Sequence, residues 1–295
     1  MVYPDRELLK LLPRVLRARD FHLYLDNGKR LTDLWLQGGR AVLGHKPSRV
    51  LLELKNAAER GLFTSLPHHL ERRFIKALEE FFPGRAFRLY LDNGSLCRAI
   101  EKAGIAGGVS IWRPFMEVQK KPSQKKPSIE PQEPQTEPQT ADTASDGETP
   151  LIRPVLPWPL GPEVLALEKS LDASFPAGEL IPPVLLAPAA RALYNLAAAI
   201  KAPGQNRLRY QKIEMALGNQ KADRKGGSPW QQNGIYLTVE QDMKMEEYKI
   251  LFLRFLEGGF LIPPSPLEPL ILPALMSKGE EAKLAELLKG WRNKD

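Results

Sequence analysis

Asn93-Gly94-Ser95 is the stretch of this chain whose residue types fit a small anion. Glycine lets a phosphate approach the backbone, and a helix starting there presents free N–H groups beside the Ser95 hydroxyl. The same residues also make an ordinary helix start, with Ser95 or Asn93 as the cap. Other reactive types are placed less well. All four histidines precede residue 70, at 22, 45, 68 and 69, without Cys or acidic neighbours at a metal-ligand spacing, so no metal site is expected. His68-His69 reads as a helix start, and His45 follows Gly44 where a turn needs a polar partner. Cys97 falls near a helix N-terminus, where the dipole lowers a thiol pKa, yet no histidine motif adjoins it and packing is its expected role. RPVLPWP and PPSPLEPLILP read equally as partner-recognition segments or as edge strands.

The elements that position these residues follow from periodicity and turn chemistry. A helix is expected over 6–17, then a β-hairpin over about 21–36, because Asn27-Gly28 between two alternating runs favours the positive φ angles of a tight turn. Gly38, Gly39 and Gly44 mark a loop. Val50, Leu51, Leu54 and Ala58 recur at helical spacing until Gly61, and Leu70, Phe74, Ala77, Leu78 and Phe81 mark a second helix over 68–81. Strands are expected at 87–91 and 109–115, with a helix from the Asp92–Ser95 turn to about 103 between them. The later part predicts a strand-like piece at 152–158, helices near 162–171, 184–201 and 207–217, a Lys/Gly-rich loop, and a strand at 234–237. A helix near 242–257, short FLI and LIL runs among prolines, and a closing helix over 278–289 complete it. Alternating strands and helices point to an α/β protein, with α+β as the alternative.

Residues 117–150 carry Pro at nearly every fourth position and no aromatic residue, a composition that predicts a disordered Pro/Gln/Glu tether. The expected organisation is therefore an N-terminal half, 1–116, a linker, 117–150, and a C-terminal half, 151–295, packing on the first. A net charge of +7 raises nucleic acid as a partner, but the basic residues are scattered and none is expected. The apolar stretch 180–200 is broken by Pro182, Pro183, Pro188, Arg191 and Asn195, so no membrane span is expected. A single cysteine and a charged N-terminus favour the cytoplasm.

The run FHLYLDNGKRLTDLW, then LQGGRAVLGHKPSRV, then a helix ending at Arg60-Gly61 is similar to the N-terminal segment of class-III, pyridoxal-phosphate-dependent aminotransferases, in particular those like glutamate-1-semialdehyde aminomutase. Tyr24, Asp26, Asp33, Gly39, Gly44 and His45 fall in the family's order. FRLYLDNGSLCRAIEKAG resembles its strand, phosphate cup and following helix, which makes Asn93, Gly94 and Ser95 the implied cofactor-phosphate contacts. FLRFLEGGFLIPPSPLEPLILPALMSKGEEAKLAELL resembles its C-terminal segment. The resemblance implies a truncated fold-type-I pyridoxal-phosphate transferase, mainly its small domain plus the edges of the large one.

The departures bear on function. The family's central segment supplies an Asp for the pyridine nitrogen and a Lys for the cofactor Schiff base, and neither motif is recognisable here. Lys169, Lys201, Lys212, Lys221 and Lys225 lack the Gly-rich run that follows the family's lysine, and the substrate-facing loop holds Gln37-Gly38-Gly39 where the aminomutases place Ser-Trp-Gly. Without that amine the cofactor has no covalent anchor. The expectation is a pseudoenzyme with no catalytic residue and no bound cofactor, acting by binding as a homo-oligomer or with an intact aminotransferase. Two alternatives stand beside it. One is an active pyridoxal-phosphate enzyme using an unrecognised lysine or a partner's lysine, and the other is a small-anion binder built on Asn93, Gly94 and Ser95.

Overall fold

A computed structural model of the chain describes residues 6–104, 108–116, 150–202, 210–218, 230–239 and 243–290. Its first elements replace the long helix expected over 6–17. Helix α1 covers Arg6–Leu9 only, and Val15–Arg19 form strand β1. Pro13 cannot extend a helix, and the residues after it find a ladder partner, so tertiary pairing overrides local periodicity. β1 pairs antiparallel with β2 (His22–Leu25), and β2 with β3 (Arg30–Asp33). The β2–β3 turn is the expected one at Asn27-Gly28, with Gly28 at φ +77°.

Helices α2 (Val50–Glu59) and α3 (His69–Glu79) match their predicted spans closely. Strand β4 (Ala86–Tyr90), helix α4 (Asn93–Ala103) and strand β5 (Ser110–Trp112) follow. The tether expected over 117–150 lies outside the described residues except for Pro150. Strand β6 (Leu151–Pro154) comes next, and then the helix expected near 162–171 is instead strand β7 (Glu163–Leu167), buried along its whole length. A short apolar run buried on both faces has no period, and only its place between two strands decides its form. These four strands form one sheet in the order β4-β7-β6-β5, with β7 alone running against the others. Hence the carboxyl ends of β4, β5 and β6 share one edge with the start of β7.

Helix α5 (Pro183–Lys201) covers this sheet's neighbours α2 and α3 and buries Leu186, Ala190, Leu193 and Leu196. By length and composition alone it is apolar enough to cross a membrane, but 61% of its apolar window is buried against the rest of the chain, as in a core helix. The start at Pro183 is natural, since a first-turn proline sacrifices no intrahelical bond.

The remaining elements are α6 (Gln211–Gly218), β8 (Trp230–Asn233), β9 (Tyr236–Val239), α7 (Met245–Glu257), β10 (Phe260–Leu261), β11 (Leu270–Ile271) and α8 (Lys278–Lys289). The FLI and LIL runs are thus short strands. β10 joins β3 in parallel, completing the sheet β1-β2-β3-β10, and β11 joins β9 in the sheet β11-β9-β8. One core packs residues between Leu8 and Val42 against residues between Ile213 and Leu288, and a second packs Val50–Leu89 against Leu156–Leu193. Each core therefore draws on chain from both sides of residues 117–149.

Candidate active-site cleft

Asp33, the last residue of β3, is only 2% exposed and organises the loop that follows. Its Oδ1 accepts hydrogen bonds from the backbone N–H groups of Trp35 and Leu36, both at 2.9 Å, and its Oδ2 lies 2.9 Å from His45 Nε2. The His45 backbone N–H donates in turn to the Asp20 carbonyl at 2.7 Å. Gly44, at φ +87°, permits that approach: a Cβ there would sit 3.0 Å from the Asp20 oxygen. Asp33, Gly44 and His45 are positions that carry the family resemblance, and in this chain they form a staple. What the staple holds is a 3-10 turn over Leu36–Gly39 in which four consecutive residues have positive φ: 46°, 51°, 69° and 104°. Left-handed backbone at Leu36 and Gln37 costs about 1–2 kcal/mol per residue, so it persists only where its surroundings fix it.

This turn, with Gln37, Gly38 and Gly39 in it, faces the carboxyl ends of β5 and β6. The two strands end alike, as Ile111-Trp112-Arg113-Pro114 and Leu151-Ile152-Arg153-Pro154, and pair in parallel with Ile111 opposite Arg153. Each arginine is followed by proline, which has no N–H to donate, and Arg113 and Arg153 sit at the carboxyl ends of their strands. Gly39 lies so close that a Cβ would meet Val155 Cγ1 at 3.4 Å and Arg113 Nη1 at 3.7 Å, and Arg113 Nη1 donates to the Gly38 carbonyl. A cleft of about 220 Å³ remains between the turn, the two strand ends and the segment carrying Glu268.

Five charged side chains line it. Glu163, at the start of β7, accepts from Arg40 on Oε1 and from Arg153 Nη2 on Oε2 at 2.9 Å. Glu268 Oε2 accepts from Trp35 Nε1 at 2.7 Å. Burial pushes the Glu268 carboxyl up, opposed by the Trp35 hydrogen bond and by Arg113. Burial pushes the Arg113 guanidinium down; Tyr236 and Glu268 oppose this and Arg153 adds to it. Arg113 stays charged at any ordinary pH. The strand spans were legible in the sequence, but these arginines were not singled out; the signal was the repeated Ile-x-Arg-Pro/Ile-Arg-Pro pattern.

Asn93, Gly94 and Ser95 form the first turn of α4, at the same sheet edge but outside the lining of the cleft. The cap is neither Ser95 nor Asn93 but Asp92, whose Oδ1 accepts from the Ser95 backbone N–H at 2.9 Å. That hydrogen bond is the main cause holding the Asp92 carboxyl below its usual range. The Ser95 hydroxyl accepts from Arg98 Nη2 at 2.9 Å, and a Cβ on Gly94 would come 3.0 Å from Asp92 Oδ1. A phosphate at this helix start would meet a resident carboxylate, so these residues do not fit the phosphate of pyridoxal phosphate.

The lysines fit the cofactor no better. None lines the cleft among the described residues. Lys169 is exposed beyond the far end of β7 from Glu163, roughly 20 Å away at about 3.3 Å per residue. Lys201 pairs with Glu80 on the surface, and Lys212 is exposed on α6. Lys221 and Lys225 lie outside the described residues. No group of three or more potential metal ligands occurs among the described residues.

No protein-family model matches the chain. It is 26% identical over 312 residues to an uncharacterized protein of Treponema pallidum (strain Nichols), covering 91% of this chain and 92% of that one. An uncharacterized protein of Borreliella burgdorferi is 38% identical over 78 residues, 26% of this chain and 29% of its own. Solved structures are similar over nearly the whole chain at 12% identity. They include a transaminase with PLP bound, at a TM-score of 0.62 over 97% of this chain and 95% of that one. A glutamate-1-semialdehyde aminomutase from Pseudomonas aeruginosa PAO1 in complex with PMP scores 0.61 over 94% and 86%. An ornithine delta-aminotransferase of Plasmodium falciparum scores 0.58 over 94% and 92%. These likenesses establish the fold: a mixed α/β pyridoxal-phosphate-transferase fold of the kind found in class-III aminotransferases.

Proposed function

We propose that this chain is a class-III aminotransferase-like pseudoenzyme that binds a ligand in the strand-end cleft and does not run cofactor chemistry. The observation that carries this reading is the make-up of the cleft. At the carboxyl ends of parallel strands, where α/β folds place their ligands, stand Arg113 and Arg153, with Arg40 beside them and no lysine among the described lining residues. A Schiff base needs an amine that can lose its proton, and a guanidinium does not supply one. Glu163 and Glu268, the carboxylates present, are already engaged by arginine and by Trp35, and α4 carries its own anion at Asp92.

The test is incubation of the purified chain with pyridoxal phosphate, followed by borohydride and peptide mapping. No yellow, reducible adduct on a single lysine is expected. Such an adduct would overturn the reading and favour an active enzyme. The same reading includes assembly, as a homo-oligomer or with an intact aminotransferase. The exposed apolar side chains Leu51, Leu52, Phe63 and Leu66, on and just after α2, support it. Sedimentation analysis of the chain alone, then mixed with such an enzyme, separates the two forms.

A further inference from the structure

Arg113 differs from the other two arginines of the cleft. Arg40 and Arg153 share Glu163 as counterion, whereas Arg113 among the described residues has one hydrogen-bond acceptor, the Gly38 carbonyl, and no carboxylate at ion-pair distance. A guanidinium carries five N–H donors in a planar fork, so several remain for a ligand. The electrostatic neighbours of Arg113 are Tyr236, whose ring centroid lies 6.0 Å from the guanidinium carbon, Glu268, whose carboxylate is turned to Trp35, and Arg153, which repels it. Three arginines against two glutamates leave a formal charge of +1 on a partly desolvated cleft.

That balance selects the ligand. One carboxylate neutralises it. A phosphate monoester, at about −1.5 to −2, would leave excess negative charge beside Glu163 and Glu268. The volume of about 220 Å³ is below the roughly 300–1,000 Å³ of sites for drug-sized molecules, so the ligand is small. Ile111, Val155 and Leu267 supply apolar wall beside the charged floor.

We infer that the cleft is a binding site for a small aliphatic monocarboxylate, its carboxylate held in the fork of Arg113 with Arg153 beside it and its tail against Ile111, Val155 and Leu267. This rests on the reading that the cleft binds without cofactor chemistry. The Gln37–Gly39 turn forms the roof, fixed through the Asp33 staple, and the Gly38 carbonyl pre-orients the Arg113 fork before any ligand arrives.

The experiment is calorimetric titration of the full chain with sodium propionate, propionamide and inorganic phosphate, each alone. Propionate is expected to bind saturably, and the neutral amide and phosphate at least about tenfold more weakly, as loss of a charge-assisted pair implies. Arg113→Gln is expected to weaken propionate by about tenfold or more, with Arg113→Lys intermediate. Should Arg113→Gln fail to fold, the Nε–Hε resonance of Arg113 in the wild-type chain gives the answer, and it is expected to shift on propionate addition. Equal binding of propionate and propionamide, tighter binding of phosphate, no saturable propionate binding, or an unmoved Arg113 resonance would each overturn the site. Cofactor reduction onto a lysine, by contrast, would overturn the pseudoenzyme reading while leaving the propionate result intact, so the two failures are distinguishable.

Discussion

Arg153, at the end of β6, and Glu163, at the start of β7, meet across two antiparallel neighbours and close the sheet edge with a two-point contact, Nε and Nη2 to Oε2 at 3.2 and 2.9 Å. Because Arg40 holds the other carboxylate oxygen, one glutamate is the shared counterion of two guanidinium groups that are about one-fifth exposed. Glu163→Ala therefore strands two desolvated cations and is expected to lower stability by about 3 kcal/mol. Urea unfolding of the wild type and variant measures it. A loss within about 0.5 kcal/mol would show that water screens the pair.

Glu280 ties the last helix to the first hairpin. It closes the capping box of α8 with Ser277 and accepts from Thr32 Oγ1 at 3.1 Å and from Arg30 Nη2 at 3.1 Å, with His22 Nε2 at 2.8 Å. Burial pushes its carboxyl up, but the bonds from Ser277, His22 and Thr32 outweigh it and hold the value at about 2, below the ordinary 4.5. A pKa lower in the folded state than in the unfolded one means the contribution is complete above about pH 4.5 and is lost as pH falls toward 2. Melting temperature should fall more steeply between pH 5 and pH 2.5 in the wild type than in Glu280→Gln. Parallel curves would remove Glu280 from the account.

Gly44→Ala is expected to cost about 2 kcal/mol, from the left-handed penalty and the backbone contact with Asp20. The second effect is local: the His45–Asp33 bond and the 36–39 turn loosen, so hydrogen exchange at Leu36 should speed up more than at Leu193 in the other core. Uniform acceleration would mean that the staple is not a separate unit.

At α4, Asp92→Ala removes the cap, whereas Ser95→Ala removes a bond to Arg98 and a minor hydroxyl contribution to Asp92. The expected order of melting temperatures is wild type, then Ser95→Ala, then Asp92→Ala. Neither wild type nor Ser95→Ala is expected to bind inorganic phosphate at this helix. The reverse order would restore Ser95 as the main contributor.

A protease site inserted between Lys120 and Thr149, once cleaved, should leave fragments that co-elute, because both cores use chain from each side of that segment. Separation in the absence of denaturant would mean that the halves are independent domains.

Long, capped and punctuated elements were legible in the sequence. The 278–289 helix, the Asn27-Gly28 hairpin and the α2 and α3 stripes all announce themselves by local chemistry. What was not legible depends on partners far along the chain. Val15–Arg19 are a strand only because His22–Leu25 lie beside them, and Glu163–Leu167 only because β4 and β6 flank them. β8 was missed although Asn233-Gly234 is a hairpin signal of the same kind as Asn27-Gly28, with Gly234 at φ +61°. Of the loop that the resemblance implied as substrate-facing, Gln37 and Gly38 contribute to the lining of the candidate cleft. Its arginines escaped notice because Arg113 and Arg153 are 40 residues apart and become neighbours only through parallel pairing.

The parallel pairing of β10 with β3 sets Phe260 beside Thr32. During synthesis at about 5–20 residues per second, the N-terminal sheet waits on the order of ten seconds or more for the strand that completes it. Throughout that interval β3 presents an open edge, and Leu23, Leu25 and Leu31 lack the α7 and α8 side chains that later cover them. An edge left open for that long is exposed to pairing with other chains before β10 covers it. Truncation before Phe260 should yield an insoluble product, not a smaller folded one.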